Sequence, residues 1–371
     1  MNSVIPSPDR PVTVAIPYQN EIDGITEVIS DELHALGYKS VHFQIGSLIP
    51  EKAEVVFSFG PYGKFLTIPR QLAKMHPDRK PIFVHWNTEG IPDPRIPWKI
   101  MSSIAGWRSW LGRVQDSQNG AARILGTERR LSLIESRMLR FRYLGDYYYA
   151  QRRGWLDIFA DTSEVYAEMH RRHGLPTIVA HWGATPQWYK DLGLERDIDV
   201  LWMGTRGTKR RSTILDQVRS ELESKRIRMH VADGKENPFI FGDERIYYLN
   251  RSKITLNITR TWYDDNYSRM ALAAPNRSLI VSEPVLPHCP SFIAGTHYVS
   301  VPVEALAETI LYYLNNQEER LRIVDNAYHL VTNKLVFRES IKSIMDAVNQ
   351  MYQSIHPIDH SPIMDIYNLS G

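Results

Sequence analysis

The chain carries two successive series of short apolar runs alternating with amphipathic stretches, and that order leaves little choice of architecture. The first series opens with PVTVAIPY, a β-branched run. A helical pattern, ITEVISDELHALGY, follows with Gly37 at its stop, and KSVHFQI, AEVVFSF and PIFVHW are further strand-like runs. An arginine- and tyrosine-rich helical stretch interrupts the rhythm over residues 98–155 before LPTIVAHW resumes it. The second series runs from the strand DIDVLWMG through the helix STILDQVRSELESK, the strands RIRMHVA and KITLNIT, the helix SRMALAA and the strand SLIVSEP. HYVSV and three helical patterns, the last of them RESIKSIMDAVNQMY, close it. Strand–helix alternation predicts a parallel sheet covered by helices, so the expected fold class is α/β with two Rossmann-like domains facing across a cleft. The segment HWGATPQWYKDLGLERD, with Gly183, Pro186 and Gly193, reads as the linker. It divides the chain into residues 1–190, residues 191–355 and a polar, proline-punctuated tail, 356–371.

Composition narrows the class. With 371 residues, 43% hydrophobic and 23% charged, the chain is globular and large enough for two cores. Lysine and arginine total 44 against 42 acids, a formal charge of +2, which gives no global electrostatic case for wrapping nucleic acid. The lone Cys289 excludes an internal disulfide framework and a multi-cysteine zinc site. The N-terminal MNSVIPSPDRPVT lacks a secretory pattern, and no run of some eighteen apolar residues occurs, so a cytoplasmic address is expected.

Ligands of open parallel sheets bind beyond the carboxyl ends of the strands, where loops converge and helix N-termini present unpaired N–H groups. G-x-G-x-x-G does not follow the first strand, and G-x-x-x-x-G-K-[ST], G-x-S-x-G and H-E-x-x-H are absent. Dinucleotide oxidoreductase, phosphate-loop NTPase, α/β-hydrolase and zinc protease readings lose their main support. In the second half, the turn WMGTRGTKRRS brings Gly204, Thr205, Arg206, Gly207 and Thr208 to a strand end, and Lys209, Arg210 and Arg211 add charge suited to a diphosphate. Its plain alternative is a glycine turn with a solvated basic edge. NITRTWYDDNYSR then gathers Asn257, Thr259, Arg260, Asp264, Asp265, Tyr267, Ser268 and Arg269 between a strand and a helix. A carboxylate there accepts hydrogen bonds from sugar hydroxyls, and a guanidinium holds a departing phosphate. The plain alternative is a capping and salt-bridge cluster.

The stretch LNRSKITLNITRTWYDDNYSRMALAAPNRSLIVSEP, with the helices after it and DIDVLWMGTRGTKRRSTIL before it, resembles the C-terminal half of glycosyltransferases related to the spore maturation protein B group. The likeness covers roughly residues 155–350. It implies a GT-B fold, with a nucleotide-sugar donor on the C-terminal domain, a hydroxyl acceptor on the N-terminal one, no metal, and a C-terminal helix crossing back to the first domain. Related retaining enzymes carry two glutamates separated by seven residues, the first facing the sugar and the second the ribose; those positions fall on Asp264 and Leu272 here. The small-residue AxxG that follows reads Ala274 to Arg277. Glu283, at the end of LIVSEP, is the substitute candidate for the ribose.

In the first half, PIFVHW ends in HWNTEGIPDP, which sets His85 and Glu89 at a strand end as candidate bases for an acceptor hydroxyl. Trp182 is expected near the cleft floor, with core packing as its plainer use. Eight arginines lie between Arg123 and Arg153 against Glu128, Glu135 and Asp146, and Leu131, Ile134, Met138 and Phe141 recur at helical spacing. That basic face suits peripheral contact with an anionic membrane, or an ordinary solvated helix. Competing readings are a catalytically silent sugar- or nucleotide-binding partner and a glycosyltransferase acting on nucleic acid.

Overall fold

The computed structural model describes residues 11–60, 65–116, 138–264, 267–287 and 289–355. A front lobe holds a parallel sheet in the order β2-β1-β3-β4-β5-β6, formed by β1 (Thr13–Tyr18), β2 (Lys39–Gln44), β3 (Val55–Phe59), β4 (Ile82–Asn87), β5 (Ile158–Asp161) and β6 (Ile178–Val179). A rear lobe holds a second parallel sheet in the order β11-β10-β9-β7-β8, formed by β7 (Ile198–Met203), β8 (Met229–Ala232), β9 (Ser252–Asn257), β10 (Leu279–Ser282) and β11 (Val299–Ser300). Every residue of β3, β4 and β5 is buried, because helices cover both faces, and such strands read as unbroken apolar runs.

The front-lobe helices are α1 (Gly24–Ala35), α2 (Thr67–Leu72), α3 (Trp98–Asp116), α4 (Leu139–Arg152) and α5 (Glu164–Arg172). Asp23 caps α1 by accepting from the Thr26 N–H at 2.7 Å, and Gly37, at φ 87°, turns the chain out of it. The later helices are α6 (Lys209–Ser224), α7 (Gly242–Arg251), α8 (Tyr267–Ala273), α9 (Leu306–Asn315), α10 (Gln317–Asn333) and α11 (Phe337–Ile355). Four elements depart from the sequence expectation. β5, only four residues long, and α5 fill the segment between the helical stretch ending at residue 155 and LPTIVAHW, where the sequence reading names no element. α7 spans the charged segment GDERIYYLNR, and a parallel sheet needs such a crossover between β8 and β9. α6 begins at Lys209, ahead of the expected Ser212, so Lys209, Arg210 and Arg211 form its first turn.

Of the eight arginines of the expected basic face, Arg140, Arg142, Arg152 and Arg153 lie among the described residues. Arg123, Arg129, Arg130 and Arg137 lie outside the described residues. On α4, Arg142 is buried and pairs with Asp116, and Arg140 turns toward the rear lobe. Arg152 and Arg153 stay exposed. Among the described residues no helix is long and apolar enough to cross a membrane.

Two chain segments cross between the lobes side by side. The Ala184 N–H donates to the Leu335 carbonyl and the Phe337 N–H to the Ala184 carbonyl, each at 2.8 Å. α11 then crosses back, burying Phe337, Ile341, Ile344, Met345 and Val348 in the front-lobe core. Trp86, Trp182 and Trp188 surround the Phe337 ring, with centroids 5.2, 5.4 and 5.5 Å away. Trp182 therefore packs in the joint between lobes.

Candidate functional site

The turn after β7 shapes the rear-lobe site. Gly204 has φ 120°, where a side chain is strained, and a Cβ there would sit 3.0 Å from Arg269 Nη2. Thr208 caps α6 by accepting from the Arg211 N–H at 3.2 Å. Three cations in the first turn oppose the helix dipole, an unfavourable arrangement that a bound anion reverses.

Arg211 is 2% exposed. Its Nη1 donates to the Thr205 carbonyl at 3.0 Å, while Nε and Nη2 are buried without a hydrogen-bond partner among the described residues. Arg269, from α8, is aimed by β9: its Nη1 donates to Asn257 Oδ1 at 2.8 Å and to the Ile258 carbonyl at 3.3 Å. Asn257 is held in turn by donating to Ser282 Oγ at 3.0 Å. Burial, then the charges of Arg211 and Arg260, pulls the Arg269 guanidinium down to about 9. Burial, then Arg260, pulls Arg211 to about 10. These like charges crowd one another, and a phosphate placed among them relieves both costs.

Arg211, Arg245, Arg260 and Arg269 line one cavity of about 250 Å³ with Gly204, Thr205, Ser268 and Leu272, and among the described residues no carboxylate lines it. Phe239 and Phe241, 39% and 68% exposed, form part of its wall. Arg245 and the two phenylalanines carry no motif. They belong to the β8–α7 connection and to α7, and the one sequence signal for them is the apolar PFIF interrupting a polar loop.

Other expected donor residues are placed elsewhere. Arg206 is bound by Asp216, Asp233 and Glu236, so its charge is already neutralised. Lys209 is exposed and outside the cavity lining. Tyr267 is core, its hydroxyl donating to the Cys289 carbonyl at 3.2 Å. Thr259 is buried and donates through N–H and Oγ1 to Glu283 Oε1 at 2.7 and 2.9 Å. Glu283 also receives both terminal nitrogens of Arg210, so both of its oxygens are taken. Glu283 therefore braces the strand ends, in place of the expected ribose contact. Asp265 lies outside the described residues. Asp264 is buried and pairs with Arg140 across the lobes.

In the front lobe, Glu89 is exposed in the loop after β4. His85 is not at the cleft: it is 1% exposed, sits 3.1 Å from Ser58 Oγ and 3.3 Å from the Tyr147 hydroxyl, and is ringed by Phe65, Tyr147 and Phe159. Burial holds its pKa down, to about 3. A base for an acceptor needs reach to the cleft, and His85 lacks it. Its depressed folded-state pKa has a consequence for acid stability. The unfolded chain binds a proton at this residue near the ordinary histidine pKa while the native state does not, so its contribution to stability is retained above about pH 6.5 and falls by about 1.4 kcal/mol per pH unit below it. Urea titrations between pH 7.5 and 5 should show a slope in His85→Phe shallower than the wild-type slope by about that amount.

The carboxyl-terminal half matches a protein family described as glycosyl transferase-like, over residues 210–346. No curated protein matches the chain in sequence. Among solved structures, HepE of Anabaena, crystallised with UDP and glucose, is similar over 91% of this chain and 100% of its own at 9% identity, with a TM-score of 0.56. Sucrose-phosphate synthase from Thermosynechococcus elongatus is similar over 92% of this chain and 100% of its own at 11% identity, with a TM-score of 0.55. A glycosyltransferase from Rickettsia africae is similar over 93% and 98% at 10% identity, with a TM-score of 0.54. The fold is GT-B: two facing Rossmann-like lobes, with the last helix returned to the first.

Proposed function

We propose that this chain is a nucleotide-sugar-dependent glycosyltransferase whose rear lobe holds the donor diphosphate and whose front lobe receives a hydroxyl acceptor. The observation that carries the reading is the cavity at the strand ends lined by Arg211, Arg245, Arg260 and Arg269, with no carboxylate of the described residues in its wall. Guanidiniums match phosphate oxygens in pairs, and several of them stabilise the charge that grows on a departing diphosphate. Phe239 and Phe241 supply aromatic faces for the base, Leu272 an apolar wall beside it, and Ser268 a hydroxyl at the start of α8. Asp264 orients the transferred sugar, and Glu89 takes the acceptor proton. The finer likeness to the spore maturation protein B group rests on the order of sequence elements in the rear lobe. Membrane contact, where it occurs, would fall to Arg152, Arg153 and the segment outside the described residues.

A second reading draws on Leu272, which lines the cavity where related enzymes place a ribose-binding carboxylate: the protein binds nucleotide sugars without transferring. Incubation with UDP-, GDP- and ADP-linked sugars separates the two. Release of nucleoside diphosphate is expected, with UDP-glucose the first probe because HepE was crystallised with UDP and glucose. Calorimetric binding without release would favour the silent partner, and no binding by any donor would sink both.

A further inference from the structure

The loop of residues 258–264, between β9 and α8, serves both lobes. Near one end Arg260 faces the arginine-lined cavity. The other end is fastened to the front lobe through Trp262, Tyr263 and Asp264. Arg95 lies over the Trp262 ring, 3.6 Å from its centroid. The Tyr166 hydroxyl donates to the Tyr263 carbonyl at 2.9 Å. Arg140 of α4 donates through Nη2 to Asp264 Oδ1, with the two side chains 21% and 8% exposed. The Arg140 guanidinium is tightly seated, since a Cβ on Gly90 would come within 3.2 Å of it, and Nη1 is buried without a hydrogen-bond partner among the described residues.

Asp264 brings a negative charge to the edge of a cationic site. It lies close enough to Arg210 and Arg211 to favour the charged forms of both. A buried carboxylate that loses its partner must find another. Arg210 is already taken by Glu283, so the cation left within the influence of Asp264 is Arg211, which a diphosphate also needs. We propose that Arg140 is a positioning residue of the donor site that acts through Asp264: by holding and neutralising that carboxylate from the opposite lobe, it leaves Arg211 to the diphosphate. Donor capture is thereby tied to the seating of one lobe on the other. This rests on the donor-site reading above.

Calorimetric titration of the full chain with UDP and with inorganic pyrophosphate tests it. Binding of either by the wild type upholds the donor site itself; no binding of either removes that reading, and the role of Arg140 with it. Given wild-type binding, Arg140→Gln is expected to weaken both ligands about tenfold. Arg140→Lys keeps the charge and should lose no more than about threefold. UDP and pyrophosphate carry no transferable sugar for Asp264 to orient, and removing the charge to be masked should make Arg140 dispensable for them, so the double variant Arg140→Gln/Asp264→Asn is expected to bind both to within about threefold of the wild type. A purely structural arginine predicts the opposite: losses that add in the double variant, or a lysine variant as weak as the glutamine one. Either result overturns the proposal, as does undiminished affinity in Arg140→Gln.

Discussion

Arg269→Ala is expected to lower nucleotide-sugar turnover by about 100- to 1,000-fold, the size of effect found when one preorganised donor to a developing charge is removed. Its geometry explains why so much rests on one side chain. Asn257 and the Ile258 carbonyl fix the guanidinium at the strand end, and Gly204 leaves room for it against the turn before α6. A diphosphate held there meets a fork that needs no rearrangement as negative charge builds during bond cleavage. Native stability should not fall with it, because the alanine also removes a charge that Arg211 and Arg260 disfavour. Steady-state kinetics and a thermal melt on one preparation check both halves. Arg269→Lys should recover only part of the loss, since an ammonium presents a point charge in place of a planar pair of donors. Near-normal turnover in Arg269→Ala would remove the residue from the site.

The second large effect concerns the joint. Phe337→Ala is expected to cost about 3–5 kcal/mol of unfolding free energy, as for other fully buried phenylalanines. Phe337 is 0% exposed and meets three tryptophan rings edge-on, so its removal leaves a hole that rigid indoles refill poorly. The backbone around it cannot shift to compensate. Gly183 lies so close to the returning segment that a Cβ there would stand 2.5 Å from the Phe337 nitrogen and the Val336 carbonyl carbon. Chemical denaturation followed by tryptophan fluorescence measures the loss, and a change under about 1 kcal/mol, typical of a surface site, would refute it.

How much of this is legible in the sequence depends on the distance over which each feature is encoded. The strands β3, β4 and β7 and the helices α6 and α10 announce themselves by local pattern, and so does the turn at Gly204. His85 does not. In a strand covered on both faces every position is apolar or buried, so no alternation says which residues end at the cleft and which end in the core. The two-faced burial of β4 is what sent His85 beneath the helices. Arg140 is opaque for another reason: its partner is 124 positions away, on the other lobe. A basic residue on an amphipathic helix looks solvated until the opposing surface is known. Glu283 shows the same limit, being a carboxylate at the expected strand end whose oxygens are claimed by Thr259 and Arg210.

The paired crossings at Ala184 and residues 335–337 also dictate how the halves move. A single connecting strand would act as a swivel and permit twisting in any direction. Two strands bonded to each other resist that, in the way a door hung from two adjacent leaves turns about one line only. Trp262, Tyr263 and Asp264 are held by Arg95, Tyr166 and Arg140 of the opposite lobe, so any widening of the cleft there has to break those contacts.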